Sequence, residues 1–179
     1  MRALVIYESM FGNTRDVARA IAEGIGSTMS VDLLDAADAP NELPADVGLV
    51  VLGGPTHAHG MSKPESRADS AKRAGDQLVS RGIGIREWLD GLRPVSSPVA
   101  AAAFDTRIKG PGLLWGSAAK PAAKRLQSLG FRLVEPAEDF LVGGPTGPLF
   151  DRLEPGEVDR ARAWGTALAR QVGDVAAVR

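Results

Sequence analysis

Short apolar runs of β-favouring residues alternate from end to end of this chain with longer segments of helical period, and that alternation limits its fold more than any other feature. Ala3-Leu4-Val5-Ile6-Tyr7 is the first such run. From Thr14, a pattern follows that puts Val17, Ala18, Ile21, Ala22 and Ile25 on one helical face, with Gly24 and Gly26 reading as its carboxyl stop. Val31-Asp32-Leu33-Leu34 is short and partly polar, which suits an edge strand. Val47-Gly48-Leu49-Val50-Val51-Leu52 is strongly apolar and closes on Gly53-Gly54-Pro55. Val99 to Phe104 carries four alanines, yet Pro98 before it and Asp105-Thr106 after it favour a strand over a helix. Phe131 to Val134 and Phe140 to Val142 read as two halves of a last strand, interrupted by Glu135 to Asp139. Helices are expected at about 82–91, 116–129 and 155–172, and any helix in the segment Ala36 to Ala45, which carries Pro40 and Pro44, is brief.

Strands that are apolar on both faces need a parallel sheet covered on both sides, joined by right-handed crossovers. The expected fold class is therefore α/β: a three-layer, doubly wound, five-stranded parallel sheet of order 2-1-3-4-5. Its ligand crevice lies where strand order reverses, between strands 1 and 3. No linker, charge run or low-complexity segment divides the 179 residues, so one domain over 1–179 is expected.

Composition removes several classes of chemistry. There is no cysteine, which excludes disulfides, thiol redox, cysteine-ligated zinc and iron–sulfur clusters, and fits a reducing cytoplasm. A formal net charge of −1 suggests neither nucleic acid nor an anionic membrane as partner. The apolar run at the N-terminus is too short for a signal peptide or a membrane span. Only 5% of residues are aromatic, so the core must be built mainly from Val, Leu, Ile and Ala.

The loop after the first strand, Glu8-Ser9-Met10-Phe11-Gly12-Asn13-Thr14, combines hydroxyls, an amide, a glycine and a helix start. A phosphate placed there would meet several neutral donors and the positive end of a helix dipole. The plainer reading is a turn in which Asn13 or Thr14 caps a helix. The loop lacks Gly-x-Gly-x-x-Gly and Gly-Lys-Ser/Thr, which argues against dinucleotide and nucleoside triphosphate sites. A serine-hydrolase reading fails too, because no Gly-x-Ser-x-Gly elbow occurs.

Tyr7-Glu8-Ser9-Met10-Phe11-Gly12-Asn13-Thr14 resembles the FMN-phosphate loop of flavodoxins and of the flavodoxin domains of flavodiiron proteins. Gly53-Gly54-Pro55-Thr56 matches the family's second landmark. The third, Gly143 to Leu149 followed by Gly156-Glu157 and Ala163-Trp164-Gly165, is similar to its carboxyl-terminal region. The resemblance implies a flavodoxin-like fold and FMN as cofactor. It places the FMN phosphate on Ser9, Met10, Phe11, Gly12, Asn13 and Thr14. The flavin ring would lie between a second loop, Pro55, Thr56, His57, Ala58, His59 and Gly60, and a third, Asp105, Thr106 and Arg107. The Gly60 peptide is the one expected near flavin N5.

The chain departs from many electron-carrier flavodoxins where aromatic rings sandwich the flavin. His57 and His59 occupy the second loop, the third has no Tyr, and Phe104 and Trp115 are the nearest aromatics. Trp115 suits packing at a helix start better than flavin stacking, and Trp88 and Trp164 suit core packing. The two histidines lack an evident third ligand for a metal, so a structural or flavin-edge role fits them better. Met61 to Arg81 carries Lys63, Arg67, Lys72, Arg73 and Arg81 and reads as a solvated loop, or else as a docking surface for an acidic partner or an NADPH phosphate. The functional expectation is a cytoplasmic FMN protein passing electrons between redox protein partners or to a small acceptor. The alternative is an FMN-dependent NAD(P)H:quinone-type reductase, and a binding module that has lost FMN is a third reading. The resemblance includes no diiron domain, so a complete flavodiiron reductase is not expected.

Overall fold

The computed structural model describes residues 1–57, 60–110, 116–144 and 151–177, with side chains to residue 173. Strands β1 (Arg2–Tyr7), β2 (Ser30–Asp35), β3 (Val47–His57) and β5 (Ala100–Ile108) form the parallel sheet, in the order β2-β1-β3-β5. Two further strands, β6 (Arg132–Leu133) and β7 (Glu138–Val142), both pair parallel with the outer edge of β5. β6 meets β5 at Ala100 and Ala101, and β7 meets it from Phe104 to Ile108. They are the two halves of one interrupted strand, and counted as one they give the expected order 2-1-3-4-5. A short antiparallel strand, β4 (Gly60–Met61), folds back on the end of β3.

The strand period of two splits the core into two layers. Leu4, Ile6, Val50 and Leu52 face helices α3 (Ile85–Gly91) and α4 (Ala119–Ser128), packing on Trp88, Leu89 and Leu126. Ala3, Val5, Leu49 and Val51 face α1 (Asn13–Gly26) and α5 (Glu157–Ala177), packing on Val17, Ile21, Leu168 and Val172. Ala100 to Ala103 are wholly or almost wholly buried and alternate between the layers. Their helix propensity yields to the burial of a central strand on both faces.

Glycines settle how closely the layers approach. Gly24 does not stop α1 but lies inside it, where an added Cβ would sit 2.1 Å from the Arg162 carbonyl oxygen. Gly165 repeats the device from α5, with a Cβ position 2.3 Å from the Ile21 carbonyl oxygen. The two glycines let α1 and α5 cross almost backbone to backbone. Gly53 likewise belongs to β3 rather than to a loop, because its missing Cβ makes room for the Phe104 ring. Phe104, Phe140 and Trp164 stack edge-to-face beneath it, with ring centroids 6.0–6.4 Å apart. Trp88 fills the opposite layer and donates its indole N–H to the Pro40 carbonyl.

The basic stretch after β4 is not a solvated loop. It contains helix α2 (Pro64–Ala74), followed by a 3₁₀ turn at Gly75–Gln77. Helix signals were present in the sequence: Pro64 at the first helical position, Glu65 in the first turn, and Lys72 and Arg73 in the last. What masked them is the helix's weak apolar face, since Ser70 is its only buried residue. No helix among the described residues is long and apolar enough to cross a membrane.

Candidate functional site

A cleft of about 370 Å³ opens at the carboxyl ends of β1, β3 and β5, within the range of small-molecule sites. One end is the loop between β1 and α1. Gly12, the residue before α1, has φ 100°, a left-handed conformation that disfavours any side chain and turns the chain into the helix. Its N–H donates to Ser9 Oγ at 3.1 Å, which leaves the Ser9 hydroxyl proton without an acceptor among the described residues. Thr14 Oγ1 and Thr106 Oγ1 lie 2.7 Å apart, so the pair uses one hydroxyl proton and keeps the other. Asn13 donates one amide hydrogen to the Asp151 carbonyl at 3.1 Å. Among the described residues, no acceptor meets the backbone N–H groups of Met10, Phe11, Asn13, Thr14 or Arg15. These open donors sit at a helix N-terminus and suit a phosphate dianion.

Ser9, Met10, Phe11, Asn13 and Thr14 all line the cleft, and Gly12 shapes the loop without lining it. Helix α2 adds two residues that the sequence reading did not place there, Ser70 and Arg73. The Arg73 guanidinium lies 5.8 Å from the centroid of the Phe11 ring, so a cation stands at the rim of a loop that holds none before Arg15. Glu8, the first residue of the loop, is fully buried and accepts the Ile85 N–H at 3.0 Å, tying the start of α3 to the end of β1. Burial pushes its carboxyl above the ordinary range.

The other end is built from the ends of β3 and β5. Pro55, Thr56, His57, Thr106 and Arg107 line it, together with Ile108, Val142 and Gly143. The His57 Nδ1 lies 3.2 Å from Ser66 Oγ on α2. Burial, and secondarily the charge of Arg67, lowers the His57 pKa and keeps its ring neutral. Thr56 Oγ1 accepts the Ala118 N–H at 2.9 Å. Arg107 pairs with Asp139 at 2.6 Å, and its other terminal nitrogen is buried without a partner among the described residues.

Asp105 does not line the cleft. Its fully buried carboxylate turns to the other face of the sheet, where Oδ2 accepts Ser117 Oγ–H at 2.6 Å and the Ala119 N–H at 2.9 Å at the start of α4. Asp105 and Thr106, successive on β5, point to opposite faces of the sheet, and the bonds to Ser117 and Ala119 hold Asp105 on the α4 side while Thr106 meets Thr14. Burial raises the Asp105 pKa. Gly60 lies on β4 and does not line the cleft either. Ala58, His59 and Trp115 are outside the described residues, as are residues 145–149 of the third landmark. Phe104 is buried in the core and is not available to a ligand.

The sequence model of the flavodoxin family matches residues 5–169, which includes the phosphate-type loop, both cleft-lining strand ends and α1. The chain belongs to the flavodoxin family. Members of this family bind FMN, and the open donors at the start of α1 fit its phosphate. Solved flavodoxins share the fold at low sequence identity. A flavodoxin from the domain Archaea is 21% identical with a TM-score of 0.63, over 97% of this chain and 99% of its own. Oxidised Flavodoxin 2 from Bacillus cereus is 19% identical with a TM-score of 0.66, over 96% and 99%. The flavodiiron protein from Giardia intestinalis is 16% identical with a TM-score of 0.60, and this chain spans 97% of its own length but 36% of that protein. No curated protein matches the chain.

Proposed function

We propose that this flavodoxin-family chain is a cytoplasmic electron carrier, one domain over residues 1–179, that holds FMN in the cleft and passes electrons between protein redox partners. The observation that carries this reading is the continuity of the cleft. It runs from a helix start rich in open N–H donors to the ends of β3 and β5, as a phosphate joined to a planar ring requires. Ser9, Asn13, the Thr14–Thr106 pair and the N–H groups of residues 10–15 would hold the phosphate. Pro55, Thr56, His57 and Arg107 would border the ring, with Ala58, His59 and Gly60 next to them in the chain. When bound, FMN supplies reversible electron transfer, while the protein governs potential and access.

Arg73 would add charge to an otherwise neutral phosphate site, and its exposed position makes that contribution modest and sensitive to salt. The neutral His57 ring would give the flavin edge a polar, uncharged border.

The test is a flavin absorption spectrum of the purified protein, with FMN added, followed through reductive titration. Flavin uptake and turnover only when a separate reductase is supplied are the expected results. Failure to take up FMN would overturn the cofactor assignment. Rapid NADPH oxidation by the protein alone with a quinone would overturn the carrier role in favour of a reductase.

A further inference from the structure

The residues that follow α2 return to the phosphate loop and hydrogen-bond it on both backbone edges. The Ser80 N–H donates to the Ser9 carbonyl at 2.8 Å, and the Val79 N–H donates to the Met10 carbonyl at 3.1 Å. In the reverse direction the Ser9 N–H donates to Ser80 Oγ at 2.8 Å. Ser80 Oγ lies 2.5 Å from Asp35 Oδ2, at the end of the edge strand β2. The other Asp35 oxygen accepts the Ala37 N–H at 3.0 Å.

The direction of each bond follows from the atoms. An N–H can only donate, so Ser80 Oγ accepts from Ser9, and its single proton goes to the Asp35 carboxylate. Ser80 is buried, so water does not readily replace either bond. Three hydrogen bonds therefore converge on a serine about 70 positions along the chain from the loop it holds, and Val79 beside it adds a fourth contact to that loop.

We propose that Ser80, oriented by Asp35, is a positioning residue for the cofactor phosphate. It takes up both backbone groups of Ser9 and so fixes where the loop leaves β1. The N–H groups of Met10 and Phe11 and those of the first turn of α1 remain as the donors that an anion can use. Met10 and Phe11 carry no proline restraint of their own, so a loop held in advance spares binding the cost of ordering it. The inference rests on the reading of Ser9–Thr14 as the phosphate site, and it adds that the site depends on residues outside that loop.

The experiment compares FMN with riboflavin, which lacks the phosphate, on the full chain. Losing a buried hydrogen bond and leaving the Ser9 N–H unpaired should weaken FMN about tenfold in Ser80→Ala, with riboflavin changed less than about twofold. Ser80→Thr, which keeps the hydroxyl, should recover most of the loss, and Asp35→Ala should fall between. Ser80→Ala binding FMN as tightly as the unaltered protein, or losing FMN and riboflavin equally, would overturn the proposal. Amide hydrogen exchange on the flavin-free protein gives an independent reading, also valid where Ser80→Ala fails to fold. Slow exchange at Ser9, Val79 and Ser80 is expected, and rapid exchange there would overturn it. Absence of FMN binding by the unaltered protein, with these amides protected, would instead count against the functional reading and leave the loop clamp standing.

Discussion

The two ends of the cleft are made in different ways. At the phosphate end, six consecutive residues provide most of the donors, and the turn at Gly12 and the start of α1 fix their geometry. At the ring end, Pro55 to His57 and Thr106 to Ile108 come from two strands about fifty positions apart, and Val142 and Gly143 come from a third region. The first end draws most of its donors from one contiguous segment. The second exists only once the β3–β5 register is set, with Pro55 opposite Thr106. On the proposed function, affinity for the phosphate would be set by hydrogen-bond donors, and affinity for the ring by shape and the choice of side chains.

If that contrast is right, the largest effect comes from removing phosphate donors. Ser9→Ala combined with Thr14→Val should cost at least one charge-assisted hydrogen bond of about 1.5–3 kcal/mol, weakening FMN ten- to a hundredfold or more while sparing riboflavin. Titration calorimetry with both ligands checks it, and equal losses would erase the distinction between the ends. Because Thr14 and Thr106 share one hydrogen bond, Thr14→Val and Thr106→Val should be markedly less than additive.

A smaller effect of opposite sign is expected at the ring end. His57→Tyr introduces a phenol ring at the ring end, which no Phe, Tyr or Trp lines among the described residues, and stacking of about 0.5–1.5 kcal/mol should tighten FMN and riboflavin alike by about two- to tenfold. Quenching of flavin fluorescence reports it directly, and tightening of FMN alone would break the comparison. Next comes Arg73→Ala. An exposed cation near the phosphate should contribute about 0.2–1 kcal/mol, so FMN weakens at most about fivefold and its salt dependence flattens.

The smallest effect concerns acid stability. The folded protein holds the His57 pKa below its ordinary value of about 6.5, so the unfolded chain takes up a proton first as pH falls. The stability linked to His57 is present above that value and is lost as pH drops through it toward the folded pKa. Glu8 and Asp105, raised by burial, act with the opposite sign, their penalty easing on acidification. Comparing urea midpoints of the His57→Gln variant and the unaltered protein at pH 7.5 and 5.5 isolates the histidine, and the variant should lose less on acidification.

Much of this was legible in the sequence where a local pattern carries the information. Edge strand β2, the interrupted last strand and the start of α1 all follow from period, polarity and turn residues over a few positions. Gly24 and Gly53 show where such reading stops. Each occupies a place where sequence suggests a helix end or a loop, and each is a contact point between distant elements. Helix α2 was hidden for the same reason in reverse, since its mostly polar surface gives no period to read.

The sequence alone determined the alternating architecture and the donor-rich loop from Ser9 to Thr14, because both are written in contiguous residues. Tertiary structure alone decided that Asp105 turns away to cap α4 while Thr106 meets Thr14, a consequence of strand alternation and register. It also decided that Arg73 reaches the cleft and that Ser80 and Asp35 grip the loop. Those contacts join residues tens of positions apart, and no short-range pattern encodes a meeting that only the packed layers bring about.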